Sequence, residues 1–377
     1  MNYFSTRDKS LKFSFKDIFL RGLAPGGGLF LPSEIKHYDK TELVKLSQLS
    51  YEDLATEILF NFCSNDIEKV ELKSLIKKAY KGFEEKEVVS IKKIGNVNLL
   101  ELYHGPTLAF KDIAMQVIGN MYDHLKVAKK RTVNILVATS GDTGSAAIAA
   151  LNDRENINLF VLHPHNKISN IQRKIMTTIG SNNIFNIAIE GSFDDCQKMV
   201  KKAFLDKDFT KLLNLTSANS INVARWLPQS FYYFFAYKEF LKENNNKDLS
   251  ISVPSGNFGN ICAGIISTKL GLPINHFIAS TNINDTVPKY LKTGKYSPKP
   301  SIRTISNAMD VGEPSNFVRI LEIFNNDFKK LKNFFSSYSF NDTQTLEAIT
   351  NVYNRHNYIL DPHGAVGYLG LKKYLNK

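Results

Sequence analysis

The segment VNILVATSGDTGSAAIAALN, residues 133–152, decides the fold class of this 377-residue chain. Residues 133–139 form an apolar, β-branched run, which is typical of a buried parallel strand. The loop SGDTG follows at once, and SAAIAALN then has the composition of a helix. A strand that a short glycine loop joins to a helix predicts one unit of an α/β fold.

The same order of elements recurs further along the chain. We predict strands at 157–163, 183–191 and 250–254 and helices at 168–180, 192–204 and 261–271. Ser192 is expected to cap its helix with Asp195 as the capping-box partner, and Gly180 to stop the helix before it. These repeated units predict an α/β body with mostly parallel sheets, whose ligands bind beyond the carboxyl ends of the strands.

Residues 1–90 differ from this body. They alternate polar loops with lysine-rich helical sequence such as LKSLIKKAYKGFEEKE (72–87), and they contain the glycine turn APGGGLFLP at 24–32. We therefore predict a small N-terminal domain at 1–90 and an α/β domain at 91–377.

The composition indicates a cytoplasmic protein with a small-molecule ligand. The net charge is 48 − 36 = +12, but the lysines are scattered and no basic run alternates with aromatic residues, so no nucleic-acid partner is expected. The three cysteines, Cys63, Cys196 and Cys262, form no CxxC motif, which argues against a disulfide framework or a metal site. No stretch resembles a signal peptide or reaches the roughly 18 apolar residues of a membrane span.

Two loops have matching chemistry, SGDTG at 140–144 (the first loop) and SGNFG at 255–259 (the second loop). Each follows a predicted strand and opens a predicted helix, where unpaired N–H groups and the helix dipole favour an anion. The alternative is a tight turn without a ligand. Neither loop is a nucleoside-triphosphate or dinucleotide signature, and the GxSxG motif of hydrolases is absent.

The stretch HGPTLAFKD, residues 104–112, places Lys111 in the first turn of a predicted helix. Burial and the positive end of the helix dipole both disfavour an ammonium ion there. A neutral lysine amine is a nucleophile that forms imines with aldehydes. The alternative is a lysine that reaches out to water beside Asp112. Together, an imine-forming amine and a phosphate-binding loop indicate pyridoxal phosphate.

The chain resembles the threonine synthase family, which belongs to the tryptophan-synthase-β-like pyridoxal-phosphate enzymes. The similarity is carried, in order, by GGGLFLP, HGPTLAFKD, TSGDTG, TSANSINVAR, VPSGNFGN, STNINDTVP and SNAMDVGEPSNF, which extend over nearly the whole chain. The resemblance implies two three-layer α/β/α subdomains around the cofactor, and a monomer or a homodimer. It also implies a C-terminus shorter than usual, without the strand that brings a hydroxyl residue to the cofactor's ring nitrogen.

The resemblance assigns a role to each motif. Lys111 would anchor the cofactor covalently, and Asp142 would lie near its phenolic oxygen, where Asn is commoner in related enzymes. The loop around the cofactor phosphate would comprise Ser255, Gly256, Asn257, Phe258 and Gly259. Ser140 and Thr143 would receive the substrate carboxylate, and Asn219, Ser220 and Arg225 the substrate phosphate.

The implied reaction converts O-phospho-L-homoserine and water to L-threonine and phosphate, with Lys111 also moving the α-proton. Arg225 suits a phosphate because its planar fork binds two oxygens at once, although a surface ion pair is the alternative. Asn219 and Ser220 would also serve as an ordinary helix N-cap. Two other functions stay open: a related dehydratase or cysteine synthase, and a cofactor- or phosphate-binding homologue without activity.

Overall fold

The computed structural model describes residues 1–125, 132–243 and 248–376. Its N-terminal region contains a three-stranded antiparallel sheet in which β1 (Tyr3–Ser5) lies between β2 (Asp8–Phe13) and β3 (Phe30–Pro32). All three residues of β3 are buried. The strand therefore carries the end of the GGGLFLP motif into the core instead of across the surface.

Four helices accompany this sheet: α1 (Phe15–Arg21), α2 (Lys40–Ser47), α3 (Tyr51–Cys63) and α4 (Lys69–Tyr80). Each has one apolar side that it buries; in α3, Leu54, Ile58 and Phe62 are at most 1% exposed. The side chain of Ser50 caps α3 by accepting a hydrogen bond from the amide of Asp53.

A β-hairpin leads from this region to the HGPTLAFKD stretch. Strands β4 (Ser90–Ile94) and β5 (Val97–Glu101) pair antiparallel around a tight turn in which Gly95 has a φ of +59°. Helix α5 (Lys111–His124) then begins at Lys111, which confirms the predicted first-turn position. The apolar side of α5, including Ile113, Val117 and Met121, is at most 1% exposed.

The first parallel sheet has the order β8-β7-β6-β9. Its strands are β6 (Val133–Ala138), β7 (Ile157–Pro164), β8 (Ile184–Ile189) and β9 (Leu215–Thr216), and its helices are α6 (Asp142–Leu151), α7 (Asn170–Thr178), α8 (Phe193–Leu205) and α9 (Lys207–Leu212). The predicted capping box between Ser192 and Asp195 is present at the start of α8.

Alternating side chains of this sheet enter different layers. Ile135, Val137 and Val161 face the main core and are fully buried, whereas Leu136 and Phe160 pack against α8. Helices therefore cover both faces of the sheet, and the predicted α/β class with parallel sheets is confirmed.

The second parallel sheet has the order β10-β11-β12. Its strands are β10 (Leu249–Pro254), β11 (Ile274–Thr281) and β12 (Phe335–Ser339). The helices of this half are α10 (Val223–Trp226), α11 (Ser230–Glu243), α12 (Gly259–Lys269), α13 (Thr286–Thr293), α14 (Phe317–Ile323), α15 (Phe328–Phe334), α16 (Asp342–His356) and α17 (Pro362–Leu375). The aromatic residues 231–235 of α11 are buried in the main core, as expected for packing residues.

One apolar core joins the N-terminal helices, α5, the core face of the first sheet and α12. The carboxyl ends of β6 and β10 both emerge next to this core, and the two glycine loops begin there. None of the helices in the described ranges has the length and apolar character of a membrane-spanning segment. In the same ranges, no group of three or more Cys, His, Asp or Glu side chains is arranged to hold a metal ion.

Candidate active site

The first loop (140–144) follows β6 and opens α6. Thr139 closes it, because its hydroxyl accepts hydrogen bonds from the amides of Gly141 (2.9 Å) and Gly144 (2.8 Å). Gly141 has a φ of +134°, and a Cβ atom there would overlap with the side chain of Gln172. Ser140 and Thr143 are half-buried on this loop. The loop is therefore a tight, glycine-dependent turn at the start of a helix.

Lys111 lies against this loop. Its Nζ atom is 2.6 Å from Oδ2 of Asp142 and 4.4 Å from the ring centre of Phe110, and its side chain is 12% exposed. Burial raises the pKa of Asp142, but the positive charge of Lys111 and the hydrogen bonds from Lys111 and Gln172 outweigh burial and lower the pKa below its usual range. The expectation of a neutral amine at Lys111 did not include this carboxylate.

Two further side chains, which the sequence analysis did not identify, hold Asp142. The side-chain amide of Gln172 donates to Oδ1 of Asp142 at 2.6 Å. Asn307 in turn donates to Oε1 of Gln172 (2.9 Å) and to the carbonyl of Ser140 (3.2 Å). Gln172 lies in the first turn of α7, where it also forms a capping box with Ser169. This chain of contacts fixes the carboxylate beside Lys111.

The second loop (255–259) follows β10 and opens α12. Phe258 has left-handed backbone geometry, with a φ of +62°, and gives α12 no capping side chain, so N–H groups at the start of the helix stay available to an anion. A Cβ atom at Gly256 would lie 2.7 Å from the Cα atom of Met309. This loop is therefore pressed against residues 306–309.

The segment 217–225 meets the second loop. Asn257 donates to the hydroxyl of Ser220 at 3.1 Å, and its own side-chain oxygen accepts from the amide of Ser315 at 2.6 Å. Asn219 does not reach the second loop, because its side chain accepts from the amide and donates to the carbonyl of Ala138, at 2.9 and 2.7 Å. The structure thus brings Ser220 to the second loop and uses the Asn219 amide to hold the end of β6.

Arg225 is buried, with 3% of its surface exposed. Its Nε and Nη1 atoms have no hydrogen-bond partner among the described residues. Burial lowers its pKa to about 10, against the attraction of Tyr232, Asp112 and Asp142, so it remains a cation at neutral pH. The alternative of a surface ion pair does not fit these observations. Buried donors without acceptors are costly, and a bound anion would remove that cost.

The segments STNINDTVP (280–288) and SNAMDVGEPSNF (306–317) contact each other. Oδ1 of Asp310 accepts hydrogen bonds from Asn282 (2.9 Å) and Thr304 (2.8 Å). Burial raises the pKa of Asp310 to about 6, against these hydrogen bonds. The network fixes the segment that carries Asn307 and Met309 to the two loops.

Two histidines also form hydrogen bonds, one at the start of α17 and one at the start of the HGPTLAFKD stretch. His363 sits in the first turn of α17; its Nδ1 atom lies 2.9 Å from Asp361, and its Nε2 atom accepts from the amide of Ala308 at 3.2 Å. His104 pairs with Ser90 at 3.0 Å next to buried Glu101. In this arrangement His363 supports the 306–309 segment.

The sequence matches two protein families, one described as threonine synthase N terminus over residues 2–80 and the other as pyridoxal-phosphate dependent enzyme over residues 91–377. Among curated proteins, the threonine synthase of Buchnera aphidicola subsp. Acyrthosiphon pisum is 42% identical over 380 residues, which cover 100% of this chain and 86% of the relative. Among solved structures, Escherichia coli threonine synthase has a TM-score of 0.93 and 38% identity, covering 100% of this chain and 86% of that one. The pyridoxal-phosphate-bound threonine synthase of Brucella melitensis has a TM-score of 0.91 and 35% identity, covering 99% and 85%.

Proposed function

This chain belongs to the threonine synthase family of pyridoxal-phosphate-dependent enzymes, and we propose that its site converts O-phospho-L-homoserine and water to L-threonine and inorganic phosphate. The observation that carries the choice of a phosphorylated substrate is the buried Arg225, whose two unpaired nitrogen donors require an anion. Sister enzymes that release ammonia from hydroxyamino acids bind the cofactor phosphate but have no substrate phosphate to bind. A buried guanidinium without an acceptor would be a net cost to such an enzyme.

The described residues fit the cofactor. We propose that Lys111 holds it covalently, that Ser255, Gly256, Asn257, Phe258 and Gly259 surround its phosphate, and that Asp142 lies at its phenolic oxygen. The glycine-dependent second loop and the uncapped start of α12 support the phosphate assignment. When bound, pyridoxal phosphate supplies an aldehyde for amines and a conjugated ring that accepts an electron pair from the substrate's α-carbon.

Substrate binding is assigned to the first loop and to the segment 217–225. We propose that Ser140 and Thr143 bind the substrate carboxylate at the start of α6, where the helix dipole favours negative charge. Ser220 and Arg225 would bind the phosphate, and Asn219 would contribute by holding the end of β6. An arginine at the phosphate orients the substrate and stabilises the charge that grows on the leaving group.

Lys111 would also act in proton transfer. With the cofactor bound, the ε-amine of Lys111 would be placed to remove the proton from the substrate's α-carbon and to return one later. Asp142, fixed by Gln172, accepts a hydrogen bond from Nζ of Lys111 and would so hold this nitrogen in place for both transfers. Both steps use the same nitrogen atom, which explains why one lysine suffices.

We also infer the boundary between an N-terminal domain at 1–90 and a catalytic domain at 91–377. The cytoplasm is the proposed location, because Cys63, Cys196 and Cys262 are all free and buried in the structure, as is usual in a reducing compartment.

The proposed function is tested by the absorbance of the purified protein and by phosphate release from O-phospho-L-homoserine. Borohydride reduction followed by peptide mass spectrometry should place the cofactor adduct on Lys111. Phosphate and threonine should form in equal amounts. Ammonia from threonine without phosphate release would favour a dehydratase, and cofactor absorbance without any turnover would favour a binding homologue.

A further inference from the structure

Arg319, in α14, is fully buried and was not singled out by the sequence analysis. Its guanidinium donates to the carbonyl of Phe30 (3.0 Å), to the carbonyl of Ser220 (2.8 Å) and to that of Ile221, and it also donates to the side-chain oxygen of Asn316. It lies 5.5 Å from the ring centre of Trp226. All of these partners are neutral, and within the described ranges no carboxylate pairs with this cation.

Asn316 extends this arrangement to both phosphate-binding elements. Its side-chain amide donates to the hydroxyl of Ser220 at 2.7 Å and to the carbonyl of Asn257 at 3.0 Å. Asn257 also donates to the same hydroxyl of Ser220. A single guanidinium is therefore tied, directly or through Asn316, to β3 of the N-terminal region, to the segment 217–225 and to the second loop.

The electrostatics favour a role in anion binding. Burial lowers the pKa of Arg319 to about 10, so it is still charged at neutral pH. A buried charge that only neutral dipoles stabilise keeps a residual cost, and an anion bound nearby reduces that cost. Because Arg319 pulls the carbonyls of Ser220 and Ile221 towards itself, it also sets the orientation of the peptide groups of this segment.

We propose that Arg319 is a positioning residue that holds the second loop and the segment 217–225 at a fixed separation, so that the cofactor phosphate and the substrate phosphate bind side by side. This inference rests on the proposed function, because it takes the two phosphate sites from there. It gives the N-terminal region a part in the site: the carbonyl of Phe30 in β3 holds Arg319 in place. Arg319 itself touches neither ligand.

The test compares Arg319→Met, which keeps much of the side-chain volume without charge or donors, with Arg319→Lys, which keeps the charge without the fork. The readouts are cofactor affinity by absorbance titration, inhibition by inorganic phosphate, and kcat and KM for O-phospho-L-homoserine. Arg319→Met should weaken cofactor and inorganic phosphate binding each by about tenfold or more, as loss of a buried supporting residue commonly does. Arg319→Lys should recover part of the affinity for inorganic phosphate. In both variants the KM for O-phospho-L-homoserine should be higher than in the unmodified protein.

A matched control separates positioning from loss of stability. Phe62→Leu destabilises the N-terminal core, where Phe62 is 1% exposed, without touching either loop. Even where it loses as much stability in urea as Arg319→Met does, Phe62→Leu should keep its affinities for the cofactor and for inorganic phosphate. If Arg319→Met does not fold, Asn316→Ala provides the second comparison, because it breaks the link to Ser220 and Asn257 and leaves Arg319 in place.

The outcomes are distinct. Unchanged cofactor and phosphate affinity in folded Arg319→Met, or in Asn316→Ala where the former does not fold, would overturn the inference, as would an equal loss in Phe62→Leu. Either result leaves the proposed function intact. Failure of the unmodified chain to bind cofactor or release phosphate would instead overturn the proposed function.

Discussion

The two glycine loops occupy equivalent places in their sheets but have different surroundings. At the first loop, an ion pair of 2.6 Å joins Lys111 to Asp142. At the second loop, Asn257 and Ser220 are neutral groups that bond to each other, and the cation that holds Ser220 in place is the buried Arg319. An ion pair of two ionisable side chains therefore lies at one loop, and neutral donors held by a permanent cation lie at the other. We infer that changes at the first loop lower kcat and the rate of proton transfer, whereas changes near the second loop lower affinity.

The largest effect is expected at the first loop. Lys111→Ala removes the amine proposed to hold the cofactor and to move the proton, so turnover should fall by about 10³-fold or more. The visible absorbance of the covalently held cofactor should disappear, although the second loop should still retain some cofactor by its phosphate. An assay of phosphate release measures the turnover, and absorbance spectra before and after dialysis measure the attached and the retained cofactor.

Lys238→Ala is the matched control for that change. Its side chain is as buried as that of Lys111, at 12% exposure, and it donates to the carbonyl of Leu49 at 2.8 Å, in the N-terminal helical region. It should cost some stability but leave cofactor attachment and turnover near those of the unmodified protein. Equal losses in the two variants would mean that removing a buried lysine, and not the chemistry at residue 111, causes the effect.

The second largest effect is expected at Arg225, at the end of the segment 217–225 whose Ser220 contacts the second loop. Arg225→Met should lower kcat/KM for O-phospho-L-homoserine by about 10²–10³-fold through a raised KM and a lowered kcat, because the bound and the departing phosphate would both lose the donors proposed for them. Cofactor affinity should change by no more than about twofold if Arg225 serves the substrate alone. Steady-state kinetics measure the effect on O-phospho-L-homoserine, and a cofactor titration measures the effect on cofactor binding.

Arg154→Met controls for the loss of an arginine. Arg154 donates to the carbonyl of Ala150 at 2.6 Å and pairs with Asp123, and it contacts neither loop nor the segment 217–225. Its KM should be unchanged. A fall in kcat at unchanged KM in Arg225→Met would break the proposed division between the two loops.

The extent to which the sequence predicts these two regions differs. The β–α units, the Ser192 cap and the position of Lys111 in the first turn of α5 follow from local patterns, and the structure confirms them. Arg319 could not be found in this way, because apart from the nearby Asn316 its partners are backbone carbonyl groups about 100 or more residues away in the chain, and any residue type supplies such a carbonyl. Likewise, Asn219 belongs to a pattern associated with phosphate, but the direction of its amide depends on where β6 ends.

A moderate effect is expected from Gln172→Ala, which acts through Asp142. Losing the 2.6 Å hydrogen bond leaves the carboxylate free to turn away from Lys111. We expect kcat to fall by about tenfold with little change in KM, and the pH profile of kcat to shift, because the group facing Lys111 is no longer fixed.

Gln344→Ala is its matched control. Gln344 forms the same capping box with Asn341 at the start of α16 that Gln172 forms with Ser169 at the start of α7. Both variants lose this cap, so they should lose similar stability, but Gln344→Ala should keep its kcat. If kcat had the same pH profile in the two variants, Gln172 would serve only to cap α7.

The smallest effect concerns Asp310, which lies behind the segment that both loops contact. Its pKa is about 6 in the folded chain and near 3.9 for an unfolded aspartate, so the folded state binds the proton more tightly. The stability that this group contributes is therefore complete below about pH 4 and is lost as the pH rises through 6. In the unmodified chain the amide of Thr304 donates to Oδ2 of Asp310 at 3.0 Å. Asp310→Asn removes the pH dependence, and the disturbance of this hydrogen bond lowers the stability by an amount that does not change with pH.

The difference in unfolding free energy between the unmodified chain and Asp310→Asn should consequently shrink by about 1 kcal/mol from pH 4 to 6, after allowance for the partial exposure of the carboxyl. Urea unfolding at intervals across this range measures it. Because Asn307 contacts the first loop and Met309 packs on the second, loosening of this segment at higher pH should affect kcat and cofactor affinity together. A pH-independent difference in stability would show that Asp310 stays ionised in the fold, and that the segment joins the loops through its neutral hydrogen bonds alone.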